Sequence, residues 1–342
     1  MSQIAVVGND VLAIALARQL ATGPAAVVLH EPMHSTPPAG EEVASLRLLH
    51  ADRGQVARDH AALQSWEALE EETGVDVLTP VHAIDVGPPA TVATLLHATS
   101  LIAPARVLYP REAARQWREI RFDGLVAYQP AASRISLAAA RQALLRSAVA
   151  WGVRVDRGRA ARVRAGRRGN VQVLVDGRWH SYDAAVVIAD SAERSELAGL
   201  PTAPEHRTVL SVEPIGAIHH WPSVVHHPGL PQDPDGHRLP GCGAEVNDGL
   251  LDLTLADDAG QPAAAAGLWE YATRWLPGTI VSTKRVRSES RSAPRLDTTL
   301  GRLAVTAPLG GRDRGLAPVV AAELARDLLD AVALDYPTTR AS

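Results

Sequence analysis

The chain has 342 residues, 46% hydrophobic and 21% charged, with 4% aromatics that include one Phe, and a formal net charge of -4. That length accommodates one large α/β domain or two domains sharing an interface, with Ala, Val and Leu filling most of the core. The charge balance gives no general attraction to nucleic acid, no apolar run reaches the ~18 residues of a membrane span, and Cys242, the only cysteine, excludes an intrachain disulfide and any multi-cysteine metal or iron–sulfur site.

Residues 4–21 read IAVVGNDVLAIALARQLA. Ile4–Val7 is predicted as a fully apolar strand, Val11–Leu20 as a helix and Ala26–Leu29 as a second apolar strand ending at His30 and Glu31. This is a β-α-β unit, and burial of both strand faces fits a parallel sheet. In a dinucleotide turn the first Gly permits the bend, the second lets pyrophosphate approach backbone amides, and the third lets helix and strand pack closely. Here Gly8 holds the first place, Asp10 the second and Ala13 the third. Ala is accepted at the third. Asp10 either sets a carboxylate against the pyrophosphate or caps the helix by accepting from its first amides. Glu31 stands where a carboxylate usually binds a ribose hydroxyl pair.

Met33–Glu42, rich in Pro and polar residues, is a predicted loop. Gln55–Thr73 is a predicted helix with Ala62, Leu63, Trp66 and Leu69 along one side. Val81–Val86 is a strand; Val107–Pro130 is helix and loop around a Trp117–Phe122 cluster. Ser136–Ala150 is an amphipathic helix, followed by strands at Gly152–Val155 and Val171–Val175, a hairpin turn at Gly177 before Trp179, and a buried strand at Ala184–Ala189. Thr208–Ile218 alternates, Pro-rich loops run to Pro240, and Leu250–Leu255 alternates again. Gly267–Leu276 is helical up to Pro277-Gly278; Leu303–Thr306 is a strand and Val319–Ala333 a closing helix. The predicted class is α/β: a Rossmann-like, mostly parallel sheet with helices, from residues 1–76, 136–205 and 293–342, plus an α+β substrate-type domain with an antiparallel or mixed sheet, from 77–135 and 206–292. With no basic segment leading into an apolar signal core, a cytoplasmic protein is expected.

Other chemistry-bearing stretches are weaker. The basic run 157–168 lacks aromatic interleaving and reads as solvated strand and turn. His206, His219, His220, His226, His227 and His237 crowd one region, yet adjacent histidines in a strand point to opposite faces and no zinc motif accompanies them, so no metal is assigned. Cys242 has no neighbouring base in sequence to activate it. His50, three residues after Arg47, is a candidate proton-transfer group. Arg312 is a candidate fixed positive charge for reduced cofactor or a substrate carboxylate.

The whole chain resembles the amine and amino-acid oxidoreductases of the D-amino acid oxidase superfamily, nearest the monomeric sarcosine oxidase-like branch. The resemblance is carried by 4–21, VVLHEP at 27–32, SLRLLHADRG at 45–54, HAALQSWEALEEETG at 60–74, 135–155, 184–199 and 303–329. It implies extended FAD, non-covalent here because 286–294 holds no cysteine for the branch's flavin linkage, and oxidation of a C–N bond in a small amine or amino acid-like substrate by hydride transfer. Gly8 and Glu31 would contact the ADP half, Gly310 and Gly311 would lie near the isoalloxazine, and His50 beside it. The cofactor motifs depart from the family's. Asp190-Ser191 replaces a glycine-rich strand end, and Gly311-Arg312-Asp313 replaces a Gly-His-Gly pattern. No cysteine for flavin attachment lies in 286–294, and no lysine for oxygen activation lies in 250–255, where Asp252 stands near its place. The alternative is a flavin-less homologue that supports a partner oxidoreductase subunit or performs non-redox chemistry.

Overall fold

The structure, a computed structural model, describes residues 2–32, 42–166, 169–189, 206–216, 218, 220–229, 241–247, 249–255, 262–277, 280–290, 297–300 and 302–334. In chain order the elements begin with β1 (Gln3–Val7), α1 (Val11–Ala21), β2 (Ala26–Pro32), β3 (Val43–Leu46), α2 (Arg53–Thr73), β4 (Leu78–Gly87), α3 (Pro89–Thr99), β5 (Arg106–Leu108), α4 (Pro110–Gln116), β6 (Leu125–Ser136) and α5 (Leu137–Ala150). Then come β7 (Arg154–Ala165), β8 (Val171–Val175), β9 (Arg178–Tyr182), β10 (Ala184–Ile188), β11 (His206–Pro214), β12 (Ser223–His226), β13 (Cys242–Asn247) and β14 (Leu250–Leu255). The chain closes with α6 (Pro262–Trp275), β15 (Ile280–Ser290), β16 (Asp297–Leu300), β17 (Leu303–Thr306), a 3-10 turn (Gly311–Leu316) and α7 (Ala317–Leu334).

The first sheet runs β16-β17-β10-β1-β2-β7-β8-β9. Its centre is parallel, β7 with β2, β2 with β1, β1 with β10 and β10 with β17. From β1 the chain builds outward through β2 to β7, then returns to place β10 and β17 on the other side. The strand order therefore reverses at β1, and open α/β sheets take ligands in the crevice outside the strands' carboxyl ends at such a point. The apolar runs IAVV and AAVVI are buried throughout because helices α1, α5 and α7 and the antiparallel β7–β9 flap leave neither sheet face to water. The β8–β9 hairpin turns through Asp176 (φ 48°) and Gly177 (φ 79°), both left-handed, the geometry that matches the twist of two antiparallel strands.

The turn from β1 to α1 explains why Gly8 is glycine. A Cβ there would lie 2.7 Å from Ala13 Cβ and 2.9 Å from the Ile188 carbonyl oxygen, so helix, strand and turn meet with no room for a methyl group. Gly8→Ala is expected to lower unfolding free energy by about 1–3 kcal/mol, the usual penalty for overpacking, read as a drop in urea midpoint at unchanged slope.

The second sheet runs β15-β11-β14-β13-β12-β4-β6-β3, with β5 also on β6. It is antiparallel except where β12 meets β4. Here the structure departs from the sequence reading. The segment 107–130 holds helix α4 and loop as read, but it begins in β5 and ends in β6, a strand that pairs with β3, β4 and β5. Its alternation is interrupted at Pro130, and the pairings that make it a strand come from distant segments. Period-two alternation sorts the rest of this sheet. Ile84, Val86, Val224, Ala244, Leu251 and Leu253 face α6, which supplies Leu268, Tyr271 and Trp275. Ser211, Ser223, Asp85, Glu245, Asn247 and Asp252 alternate with them and so share the other face.

Candidate active site

The crevice at the end of β1 holds a compact set of charges. Asp10 is the N-cap of α1 (φ -84°, ψ 173°), and its Oδ1 accepts from the Ala13 N–H at 2.8 Å. Its Oδ2 is buried with no hydrogen-bond partner. Burial pushes this carboxyl up to about 6, against the opposing pull of the Ala13 amide, Arg314 and Arg141. Arg141, from α5, donates to the Asn9 carbonyl and, from Nη2, to Glu31 Oε1 at 2.7 Å. Arg314, from the 3-10 turn, pairs with Glu42. Among the described residues, the ribose-type carboxylate and the Ala13 amide in the first turn of α1 thus both have partners within the protein.

A second group lies on the polar face of the second sheet, and almost all of it is buried. Arg47 pairs with Asp85 and donates to Ser223 Oγ at 3.4 Å. Asp85 Oδ2 also meets His227 Nε2 at 2.7 Å. Glu245 accepts from Ser223 and, at 2.5 Å, from Ser45 Oγ. Asp252 accepts from Ser211 Oγ at 2.6 Å and Asn247 Nδ2 at 2.7 Å. Asn247 Oδ1 in turn accepts from the Val43 N–H at 3.0 Å. Val43 follows Glu42, the partner of Arg314, so one short segment joins this face to the crevice. Such a face orders donors and acceptors in a dry interior, where small polar groups are oriented most strongly.

Two adjacent histidines separate as strand geometry requires. His226 enters the apolar side, where Tyr271 Oη lies 2.8 Å from Nδ1 and the Arg121 carbonyl 3.2 Å from Nε2. A carbonyl only accepts, so Nε2 carries the proton and Nδ1 accepts from tyrosine. His227 turns to Asp85. Burial lowers His30, His226 and His227 to about 4, and the charge of Arg47 adds to the effect at His227. The His227–Asp85 contact would favour a charged ring if it stood alone, but Arg47 already neutralises that carboxylate, so the neutral, N–H-donating ring is the consistent state.

These rings predict an acid limb. Unfolded histidines take protons near 6.5 and the folded ones only near 4, so this stability is complete above about 6.5 and is lost as pH falls toward 4. The fully enclosed His226 alone carries on the order of 3 kcal/mol. Asp10 acts oppositely, favouring the fold most below 3.8 and losing that contribution as pH rises through about 6, but three rings outweigh one carboxyl. The urea midpoint is expected to fall steadily from pH 7 to 4.5; a level profile would refute the neutral assignments.

The other sequence-predicted residues are placed as follows. His50 Nε2 sits 2.6 Å from Asp59 Oδ2 and 3.0 Å from the Arg47 carbonyl, at the start of α2. Gly310 precedes the 3-10 turn and Gly311 opens it; Arg312 lies in that turn, its side chain outside the described residues. Asp190, His219 and His237 also fall outside them. Cys242 is buried, and burial pushes its thiol up to about 12, the opposite of an activated nucleophile. Residues 157–165 of the basic run lie in β7, where Arg164 stacks over Trp179 at 3.9 Å. Among the described residues no cluster of three or more His, Cys, Asp or Glu side chains is placed to hold a metal, and no helix is long and apolar enough to cross a membrane. Sequence reasoning missed Arg141, Arg314, Asp85 and Glu245. The only local signal was a charged residue within an otherwise apolar alternation, as at Asp85 in VHAIDV.

Fold and site together define a two-sheet scaffold, with a parallel sheet whose strand order reverses at β1 beside a sheet with a buried polar face. No family model matches the chain, and no curated protein matches it in sequence. Solved structures match over nearly the full length. L-proline dehydrogenase from P. horikoshii has a TM-score of 0.73 at 15% identity, covering 96% of this chain and 93% of that one. Iminodiacetate oxidase from Chelativorans sp. BNC1 has a TM-score of 0.67 at 18% identity, covering 99% and 98%. Glycine oxidase from Geobacillus kaustophilus has a TM-score of 0.64 at 17% identity, covering 99% and 96%. These enzymes share the fold of this chain.

Proposed function

We propose that this protein is an FAD-type oxidoreductase that removes a hydride from the carbon alpha to nitrogen in a small amine or amino acid, leaving an imine. The observation that carries the reading is the crevice at the strand-order reversal, with Glu31 at the end of β2 and a buried polar face joined to it through Glu42 and Val43. The structural neighbours support it, being named for reactions of L-proline, glycine and iminodiacetate, all amine-bearing carboxylic acids. We assign cofactor holding to 1–76, 136–205 and 293–342 and substrate holding to 77–135 and 206–292, with β3 reaching from the first into the sheet of the second.

The residues present fit a dinucleotide unevenly. Gly8 keeps the tight turn, Glu31 is available to a ribose once Arg141 releases it, and Arg141 and Arg314 supply positive charge for a diphosphate. Asp10 fits beside a diphosphate only without its charge. FAD, when bound, supplies the hydride acceptor; the chain's own residues orient the substrate, keep water out and hold charge. On this reading the polar face from Arg47 to Asp252 positions substrate polar groups, and His50 and Arg312 remain the candidates for proton transfer and fixed charge.

A second reading rests on one observation. Asp10 occupies the Ala13 amide in the first turn of α1 while Arg141 occupies Glu31, the arrangement expected of a crevice that works empty. The protein would then be a flavin-free homologue that supports a partner oxidoreductase subunit or performs non-redox chemistry. The visible absorption spectrum of gently purified protein, before and after incubation with FAD, separates the two. Flavin bands that bleach anaerobically with one of a panel of small amines and amino acids establish the first reading. Bands that never appear, at any pH tried, establish the second.

A further inference from the structure

At the start of α1, where a diphosphate would meet backbone amides, a side chain of the protein already takes the Ala13 amide. Asp10 stands at the second glycine position of the turn; one oxygen caps the helix and the other is enclosed without a partner. The charged groups around it come from four elements: Arg141 of α5, Arg314 of the 3-10 turn, Glu31 of β2, and Glu42 before β3. His30, also on β2, directs its ring to Tyr182, 2.8 Å away. Two guanidinium groups against three carboxylates leave this set at -1 with Asp10 ionised and at zero with Asp10 protonated. Both guanidinium groups are already paired to carboxylates, so a diphosphate entering beside ionised Asp10 meets like charge in a poorly solvated pocket. Beside the protonated acid it meets a neutral set, and the oxygen that now lacks a partner would carry a donor proton.

We propose that Asp10 decides whether this crevice takes a dinucleotide: the diphosphate enters only when Asp10 carries a proton, so cofactor loading takes up one proton from solvent. The proposal rests on the FAD reading above. The raised carboxyl, at about 6, puts the transition within reach of ordinary buffers. Above that value one proton must be taken up per FAD bound, and affinity then falls about tenfold per pH unit.

The test is FAD affinity by fluorescence quenching at pH 5.5 to 8.5 for the full chain, Asp10→Asn and Asp10→Gly, with far-UV circular dichroism confirming folding at each pH. Asp10→Asn keeps a cap acceptor without charge; Asp10→Gly restores the open turn. The proposal expects wild-type affinity to drop about 100-fold between pH 6.5 and 8.5, and both variants to bind with no such slope. A flat wild-type profile, or a slope that survives in Asp10→Asn, overturns it. Uptake by Asp10→Gly alone, with the wild type empty even at pH 5.5, also overturns the proton step and makes Asp10 a permanent block. No uptake by any of the three at any pH removes the FAD reading itself, and the proposal with it.

Discussion

Asp85→Ala is expected to lower unfolding free energy by about 3–5 kcal/mol, the cost of stranding one member of a buried ion pair. Asp85 is 2% exposed and Arg47 5%, so the buried guanidinium would lose its carboxylate while keeping Ser223 Oγ at 3.4 Å. His227 would lose its acceptor at the same time. The loss should not reflect any special strength of the pair, because two buried charges give back in desolvation most of what attraction supplies. The double variant Arg47→Met, Asp85→Leu is therefore expected to recover most of the stability while abolishing whatever the polar face binds. Urea unfolding of the two single variants and the double completes the cycle. A cost below about 1 kcal/mol for Asp85→Ala would mean that water reaches the pair, and the dry polar face would have to be abandoned.

Trp66→Ala is the second large effect, again about 3–5 kcal/mol for emptying a fully buried indole. Trp66 is 0% exposed, packs on α1, α5 and α7 from the middle of α2, and donates from Nε1 to the Gly315 carbonyl at 2.7 Å. That bond ties α2 to the turn that carries Arg312 and Arg314. Gly315 itself lies against β3, where a Cβ would come within 3.3 Å of Ile135 Cδ1 and 3.4 Å of Leu46 Cδ1. Trp66→Phe keeps most of the volume and orphans the carbonyl, so about 1–3 kcal/mol is expected from that variant. Comparing the two by chemical denaturation separates packing from the hydrogen bond. Equal losses would assign the whole effect to the bond.

Much of the architecture was legible from local pattern. Ile4–Val7, Ala26–Leu29, Ala184–Ala189 and Leu303–Thr306 are apolar on both faces, which only a covered parallel sheet accommodates, and all four lie side by side in it. The helices at 55–73 and 319–333 show their periodicity directly. Glu31 and Gly8 were visible because a dinucleotide turn has fixed spacing. The strands β3, β5 and β6 were not visible. They are held by pairing with one another and with β4, and pairing is information that no short window contains.

The candidate site divides along the same line. Sequence alone determined that a carboxylate stands at the second glycine position and that adjacent histidines, if in a strand, part to opposite faces. Only the tertiary structure decided which of the two roles open to Asp10 it takes, since its surroundings come from Arg141 and Arg314, far along the chain. It likewise set Arg141 against Glu31, 110 residues away, and Ser45 against Glu245, 200 residues away. The physical reason is range. Dihedral preference and side-chain period act over a few residues, whereas the charge state of a buried carboxyl depends on whichever groups the completed fold brings within a few ångströms of it.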